Sequence, residues 1–171
     1  TGRLFKETYK VHSKTLDTYK KEIKVYFPEY SKVEEMLTSK GPFSFYESVE
    51  NRKECCSIRK IQPLKRLLVG KQCWITGIRA DQSENRQTMT IFNWDEQNNL
   101  LKCNPLLHWT YKECEDFVKK NDVPCNVLHK KGFVSIGCEP CTRAIQPGAD
   151  FRSGRWWWED NSKKECGLHK E

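Results

Sequence analysis

The 171-residue chain has no run of ~18 apolar residues, so nothing in it reads as a membrane-spanning helix. Its opening, TGRLFKETYK, lacks the apolar h-region of a secretory signal. Internal repeats and low-complexity linkers are missing, which leaves one domain as the simplest organisation. The nine cysteines are an odd number and come without an export signal, which argues against a secreted disulfide scaffold. No long basic stripe and no nucleic-acid signature accompany the positive charge, so a cluster- or zinc-containing nucleic-acid module is the weaker reading. These absences predict a cytoplasmic protein with neither a membrane nor a nucleic acid as partner.

What is present points to a packed domain with an anionic ligand. Hydrophobic residues make up 37% and aromatics 12%, too many for a disordered chain. Lys plus Arg number 30 against 23 Asp plus Glu, a net charge of +7. That excess suits a nucleotide or another anion.

The patterning alternates helices and strands. KETYKVHSKTLDTYKK has apolar anchors near helical spacing at Tyr9, Leu16 and Tyr19. IKVYF (23–27) predicts a short strand ended by Pro28, and Ser31 with Glu34 predicts a capping box opening a helix that Gly41-Pro42 stops. IRKIQPLKRLLVG reads as helical with a break at Pro63, and QCWITGI (72–78) as a buried strand. TMTIFNWD and NLLKCNP, joined by EQNN, suit a hairpin; Thr110 and Glu113 cap a further helix over YKECEDFVKKN. The alternation favours an α/β layer architecture. The predicted division is an α/β domain over 1–150 and an irregular, mobile C-terminal arm over 151–171.

Four cysteines fall in two pairs, Cys55-Cys56 and the Cys138-Glu139-Pro140-Cys141 turn. Four thiolates hold either an iron–sulfur cluster or a zinc ion. Adjacent cysteines point different ways, which suits the separate corners of a 4Fe–4S cube better than one tetrahedral zinc. On the residues alone, cube, zinc and bare thiols all remain open. Cys73, Cys103, Cys114 and Cys125 read as buried small hydrophobes. Cys166 lies among Lys163, Lys164 and His169, cations that lower a thiol's pKa, and reads as a nucleophile on a swinging arm or as an ordinary tail cysteine. Arg79 and Arg86 follow a predicted strand end, where α/β sheets place ligands. With Lys60 and the Arg152/Arg155 pair beside RWWW, they are candidate anion clamps.

TGRLFKETY, ECCSIRKIQPL, WITGIRADQSENR, GFVSIGCEPCTRAIQPGADFRSGRWWWE and KECGLH together resemble the assimilatory adenylyl-sulfate reductases, the APS/PAPS reductase family, along the whole chain and in the family's order. The resemblance implies an adenine-nucleotide α-hydrolase-like, Rossmann-type domain with helices flanking a mostly parallel sheet. It implies reduction of adenosine 5′-phosphosulfate (APS) to sulfite and AMP with thioredoxin or a similar thiol donor, the 3′-phosphorylated PAPS being the alternative substrate. It matches Cys55, Cys56, Cys138 and Cys141 to the ligands of a 4Fe–4S cluster, Cys166 to the catalytic cysteine, and Lys60, Arg86, Arg152 and Arg155 to the phosphosulfate site, with Arg79 a weaker match. His169 belongs to the catalytic motif without an assigned role. Family members carry a β-strand and a Ser-Gly-Gly-rich phosphate loop before the segment at which this chain opens. Oligomeric state stays open, a homo-oligomer included.

Overall fold

A computed structural model of the chain describes residues 1–83 and 86–160. Helices α1 (Lys6–Tyr19), α2 (Tyr30–Lys40), α3 (Val49–Cys56), α4 (Gln62–Leu68) and α5 (Tyr111–Lys120) accompany strands β1 (Cys73–Ile75), β2 (Phe92–Asp95) and β3 (Leu100–Cys103). The strands form one sheet in the order β1-β3-β2. β1 and β3 run parallel, with Cys73 opposite Leu101 and Ile75 opposite Cys103. β2 and β3 run antiparallel, with Phe92 opposite Cys103 and Asp95 opposite Leu100. The predicted α/β architecture and hairpin are both present, and the sheet is mixed.

Local chemistry explains several element ends. The Thr110 hydroxyl accepts the Glu113 backbone N–H at 3.2 Å, while Glu113 Oε2 accepts the Thr110 backbone N–H at 2.7 Å. This reciprocal pair satisfies two donors that an uncapped helix would leave open, so α5 begins at the predicted place. Ser48 caps α3 in the same way, accepting the Asn51 N–H at 3.1 Å.

The break at Pro63 takes an unexpected form. α3 does not stop after the cysteine pair but widens into a π turn over Ser57–Ile61 and resumes as α4, with Pro63 in its first turn. Proline has no N–H to donate and its ring crowds the carbonyl four residues back. A wider turn immediately upstream absorbs both problems, and such turns re-aim the side chains they carry. Arg59 and Lys60 ride on this one.

Three local predictions fail. Residues 23–27 form no strand; Val25 is 72% exposed. Its β-rich composition meets no neighbouring strand among the described residues, and propensity without a partner does not make a ladder. The Ser31 capping box is not used, because α2 begins two residues earlier than predicted, at Tyr30, with Glu29 at its N-cap and no side-chain capping bond. The strand predicted over 72–78 shortens to three residues and is exposed at both ends, with Ile75 at 70%. Among the described residues it is an edge strand paired only with β3, and burial begins beyond it at Thr76 and Ile78.

The main buried cluster lies away from the sheet. Phe45, Cys56, Cys138, Cys141 and Trp156 form it, with Cys55 and Trp158 packed alongside. Tyr46 braces it, donating its hydroxyl to the Pro140 carbonyl at 2.6 Å and meeting the Trp158 ring edge-on at 4.4 Å. No helix among the described residues is long and apolar enough to cross a membrane.

Candidate active site

The two cysteine pairs reach one place from different directions. Cys55 and Cys56 end α3, just before the π turn. Cys138 opens a short 3-10 turn (Glu139–Cys141) that an antiparallel bridge ties to Leu4. The Glu139 N–H donates to the Arg3 carbonyl at 2.8 Å, and the Cys141 N–H to the Cys138 carbonyl at 3.0 Å. All four cysteines line a single pocket together with Arg3, Phe45, Arg52, Arg59, Lys60, Pro140 and Trp156. None of the four is in a disulfide.

Burial pushes the Cys141 thiol up to about 12, reinforced by the charges of Cys138 and Cys56. Burial also raises Cys55, opposed by Arg59 and Arg3, and Arg59 hydrogen-bonds its sulfur. Burial pulls Arg52 down, but its hydrogen bonds and charge attraction to Glu159 outweigh that and hold it above its ordinary value. The pocket thus holds two thiols that resist ionisation alone, Cys55 and Cys141, inside a ring of cations that would stabilise an anionic group placed among them.

A second shared feature is Trp156, which is 1% exposed and holds a left-handed backbone with φ +43. Four cations face its ring: Arg52 and Arg155 at 4.7 Å, Arg152 at 5.7 Å and Lys60 at 5.9 Å. A left-handed non-glycine residue costs conformational energy, so its surroundings must hold it in place. Arg52 does so on one side. Its Nε and Nη2 donate to the two carboxylate oxygens of Glu159 at 2.8 and 2.7 Å, a two-pronged pair whose side chains are 1% and 3% exposed. Of the segment assigned to the arm, Trp156, Trp158 and Glu159 therefore pack against the cysteine pocket.

Of the predicted basic residues, Lys60, Arg152 and Arg155 converge on Trp156. Arg79 and Arg86 form a separate group beyond β1. Arg79 pairs with Asp81 at 2.9 Å and lies between the rings of Tyr111, at 5.6 Å, and Phe151, at 5.7 Å. Its Nη2 is buried without a hydrogen-bond partner. Arg86 donates to the Gln82 side chain. Phe151 precedes Arg152, so the two groups are adjacent along that segment. Cys166, Lys163, Lys164 and His169 lie outside the described residues.

The remaining cysteines depart from expectation. Cys73 and Cys125 are exposed and Cys103 and Cys114 half-buried. Cys73 and Cys103 sit on an uncovered sheet face, and Cys125 follows the end of α5 in a loop. Sequence reasoning also missed Arg3, Arg52, Arg59 and Glu159. Arg59 had a signal, standing four residues after Cys55 and so one helical turn away. Glu159 had none, since its partner lies 107 residues earlier.

Comparisons with known proteins agree with one another. Residues 1–144 match the phosphoadenosine phosphosulfate reductase domain. The chain is 48% identical over 169 residues to an adenosine 5′-phosphosulfate reductase of Rhizobium tropici, covering 99% of this chain and 94% of that one. It is 48% identical to the enzymes of that name from Sinorhizobium fredii and Rhizobium meliloti, spanning 67% and 64% of their lengths. A solved phosphate complex of phosphoadenylyl-sulfate reductase from Candida auris superposes with a TM-score of 0.67 at 25% identity, over 84% of this chain and 67% of that one. The chain belongs to the phosphoadenosine phosphosulfate reductase domain family.

Proposed function

We propose that this protein reduces adenosine 5′-phosphosulfate to sulfite and AMP at the expense of a dithiol protein of the thioredoxin type, and that Cys55, Cys56, Cys138 and Cys141 hold a 4Fe–4S cluster. The observation that carries the proposal is the pocket: four cysteine sulfurs and four cationic side chains on one buried surface. Among the described residues, no three His, Cys, Asp or Glu side chains are arranged to hold a metal ion. The cluster reading rests on four cysteines from two distant segments lining one pocket, thiolate sulfur being the ligand such clusters take. When bound, the cluster would supply a fixed, buried cross-link between the end of α3 and the 138–141 turn.

The chain's own residues would do the rest. Lys60, Arg152 and Arg155 gather on the Trp156 face, where they offset the repulsion between an attacking thiolate and an anionic substrate. Arg79 and Arg86 would extend the anion site beyond β1. The Cys166 thiolate attacks the sulfate sulfur, the sulfur–oxygen bond to AMP breaks, and an S-sulfocysteine forms. A donor thiol then attacks the Cys166 sulfur and expels sulfite, and its second thiol closes a disulfide that frees Cys166. The dithiol supplies both electrons.

The APS preference rests on the named relatives at 48% identity. A PAPS preference draws on the Candida auris structure. The test is incubation with APS radiolabelled in its sulfur, without reductant. The label is expected on the wild-type protein, released as sulfite by reduced thioredoxin, and absent from Cys166→Ser. Labelling of the Ser variant, or faster turnover of PAPS, would refute the corresponding part.

A further inference from the structure

The 138–143 turn and the 154–156 segment are zipped together. The Arg143 N–H donates to the Gly154 carbonyl at 2.9 Å, the Trp156 N–H to the Cys141 carbonyl at 3.2 Å, and Thr142 bridges Arg155. The Thr142 hydroxyl closes the turn, accepting the Gly137 N–H at 3.2 Å and donating to the Cys138 carbonyl at 2.8 Å. Gly137 thus sits at the root of a cysteine turn, and the buried Arg155 guanidinium lies directly over it. A Cβ built on Gly137 would stand 2.8 Å from Arg155 Nη1, and closer still to Cζ and Nη2. Those separations are well inside van der Waals contact, so the guanidinium, the free end of a flexible side chain, would have to shift.

Gly137 is not among the residues with positive φ, so an alanine backbone is unstrained there. The three atoms nearest an added methyl group all belong to Arg155. This separates Gly137 from Gly154, where an added Cβ would overlap the Arg143 carbonyl and lie 2.8 Å from Ile145 Cγ2, so that backbone would have to move.

We infer that Gly137 is a positioning residue for Arg155: the missing side chain leaves the slot in which the guanidinium lies, and so sets the anion clamp relative to the adjoining cysteine turn. The inference rests on the reading of Arg155 as a phosphosulfate ligand. It also ties the two halves of the site together, because whatever holds Cys138 in place fixes the floor under Arg155.

The experiment measures APS dissociation constants by calorimetry in the full-length protein carrying Cys166→Ser, which prevents turnover. Gly137→Ala is expected to weaken APS binding about tenfold, the scale of one charge-assisted hydrogen bond. Arg155→Ala is expected to weaken it at least as much, and the double variant to bind no worse than Arg155→Ala alone, because the clash is gone. Additive losses would overturn the inference by showing that Gly137 acts without Arg155. A neutral Gly137→Ala beside a damaging Arg155→Ala would overturn it while leaving the clamp intact. An undamaged Arg155→Ala would overturn both the clamp and the inference, whereas sulfite formation by the wild type tests the proposed reaction separately. Should Gly137→Ala fail to fold, recovery in the double variant would report the same contact, and persistent misfolding would count against it.

Discussion

The cysteine pocket and the sheet are built on opposite terms. Around the pocket, charged side chains are buried: Arg52, Arg59 and Arg155 lie inside, among Phe45 and Trp156. On one face of the sheet, large apolar side chains are exposed: Ile75, Phe92, Trp94 and Leu101; the other face buries Leu100 and Lys102. The pocket is assembled by contacts distant in sequence, Arg52 with Glu159 and Tyr46 with Pro140. The sheet region is organised over shorter separations: a hairpin, a capping box and the parallel pairing of β1 with β3. A buried polar group that loses its partner costs more than a solvated one, so a change at the pocket propagates, whereas the exposed sheet face absorbs substitutions locally. The same residue type behaves differently on the two sides: Cys56, Cys138 and Cys141 are buried, Cys73 is exposed.

The largest effect should come from Cys141→Ser. It is expected to abolish iron loading and sulfite formation together, read by iron analysis and a sulfite assay; full activity in an iron-free variant would break the contrast. Glu159→Gln should come next. It leaves the Arg52 charge uncompensated beside Trp156, and denaturant unfolding should show a loss of about 3–5 kcal/mol, the usual cost of removing one partner of a buried pair. A loss below about 1 kcal/mol, typical of exposed pairs, would place this contact with the sheet region instead.

Smaller effects belong to the sheet side. In α5, hydrogen bonds from the Thr110 backbone N–H and hydroxyl hold the Glu113 carboxyl below its ordinary value of 4.5. A depressed carboxylate contributes stability above its unfolded pKa and loses it as pH falls through the folded value. The α5 amides should therefore lose hydrogen-exchange protection on acidification below pH 4.5, and Thr110→Ala should bring the Glu113 titration back toward 4.5 by NMR. An unmoved titration would remove the capping account. Cys73→Ser should be the mildest, within about 0.5 kcal/mol of wild type by thermal melting. A large loss there would mean that the sheet face is tightly covered.

The same contrast explains what could be read in advance. Thr110 and Glu113 stand three residues apart, and the hairpin strands flank a short polar turn, so short-range chemistry announced α5, β2 and β3. The cysteine pairs were legible as motifs, and the fold brings them to one pocket. The π turn was hidden because Pro63 announces a break without saying how the helix absorbs it. The 23–27 segment misled because its β-branched and aromatic residues report what would suit a sheet, not whether a strand lies beside them. The Arg52–Glu159 pair and the slot over Gly137 exist only after distant segments meet, so no local pattern encodes them.

The most direct test is iron and acid-labile sulfide per chain in anaerobically purified protein, with its visible spectrum. The account predicts about four of each, with the broad absorption of a thiolate-ligated cube. Protein that turned over APS at full rate with a single zinc, or with no metal at all, would contradict it.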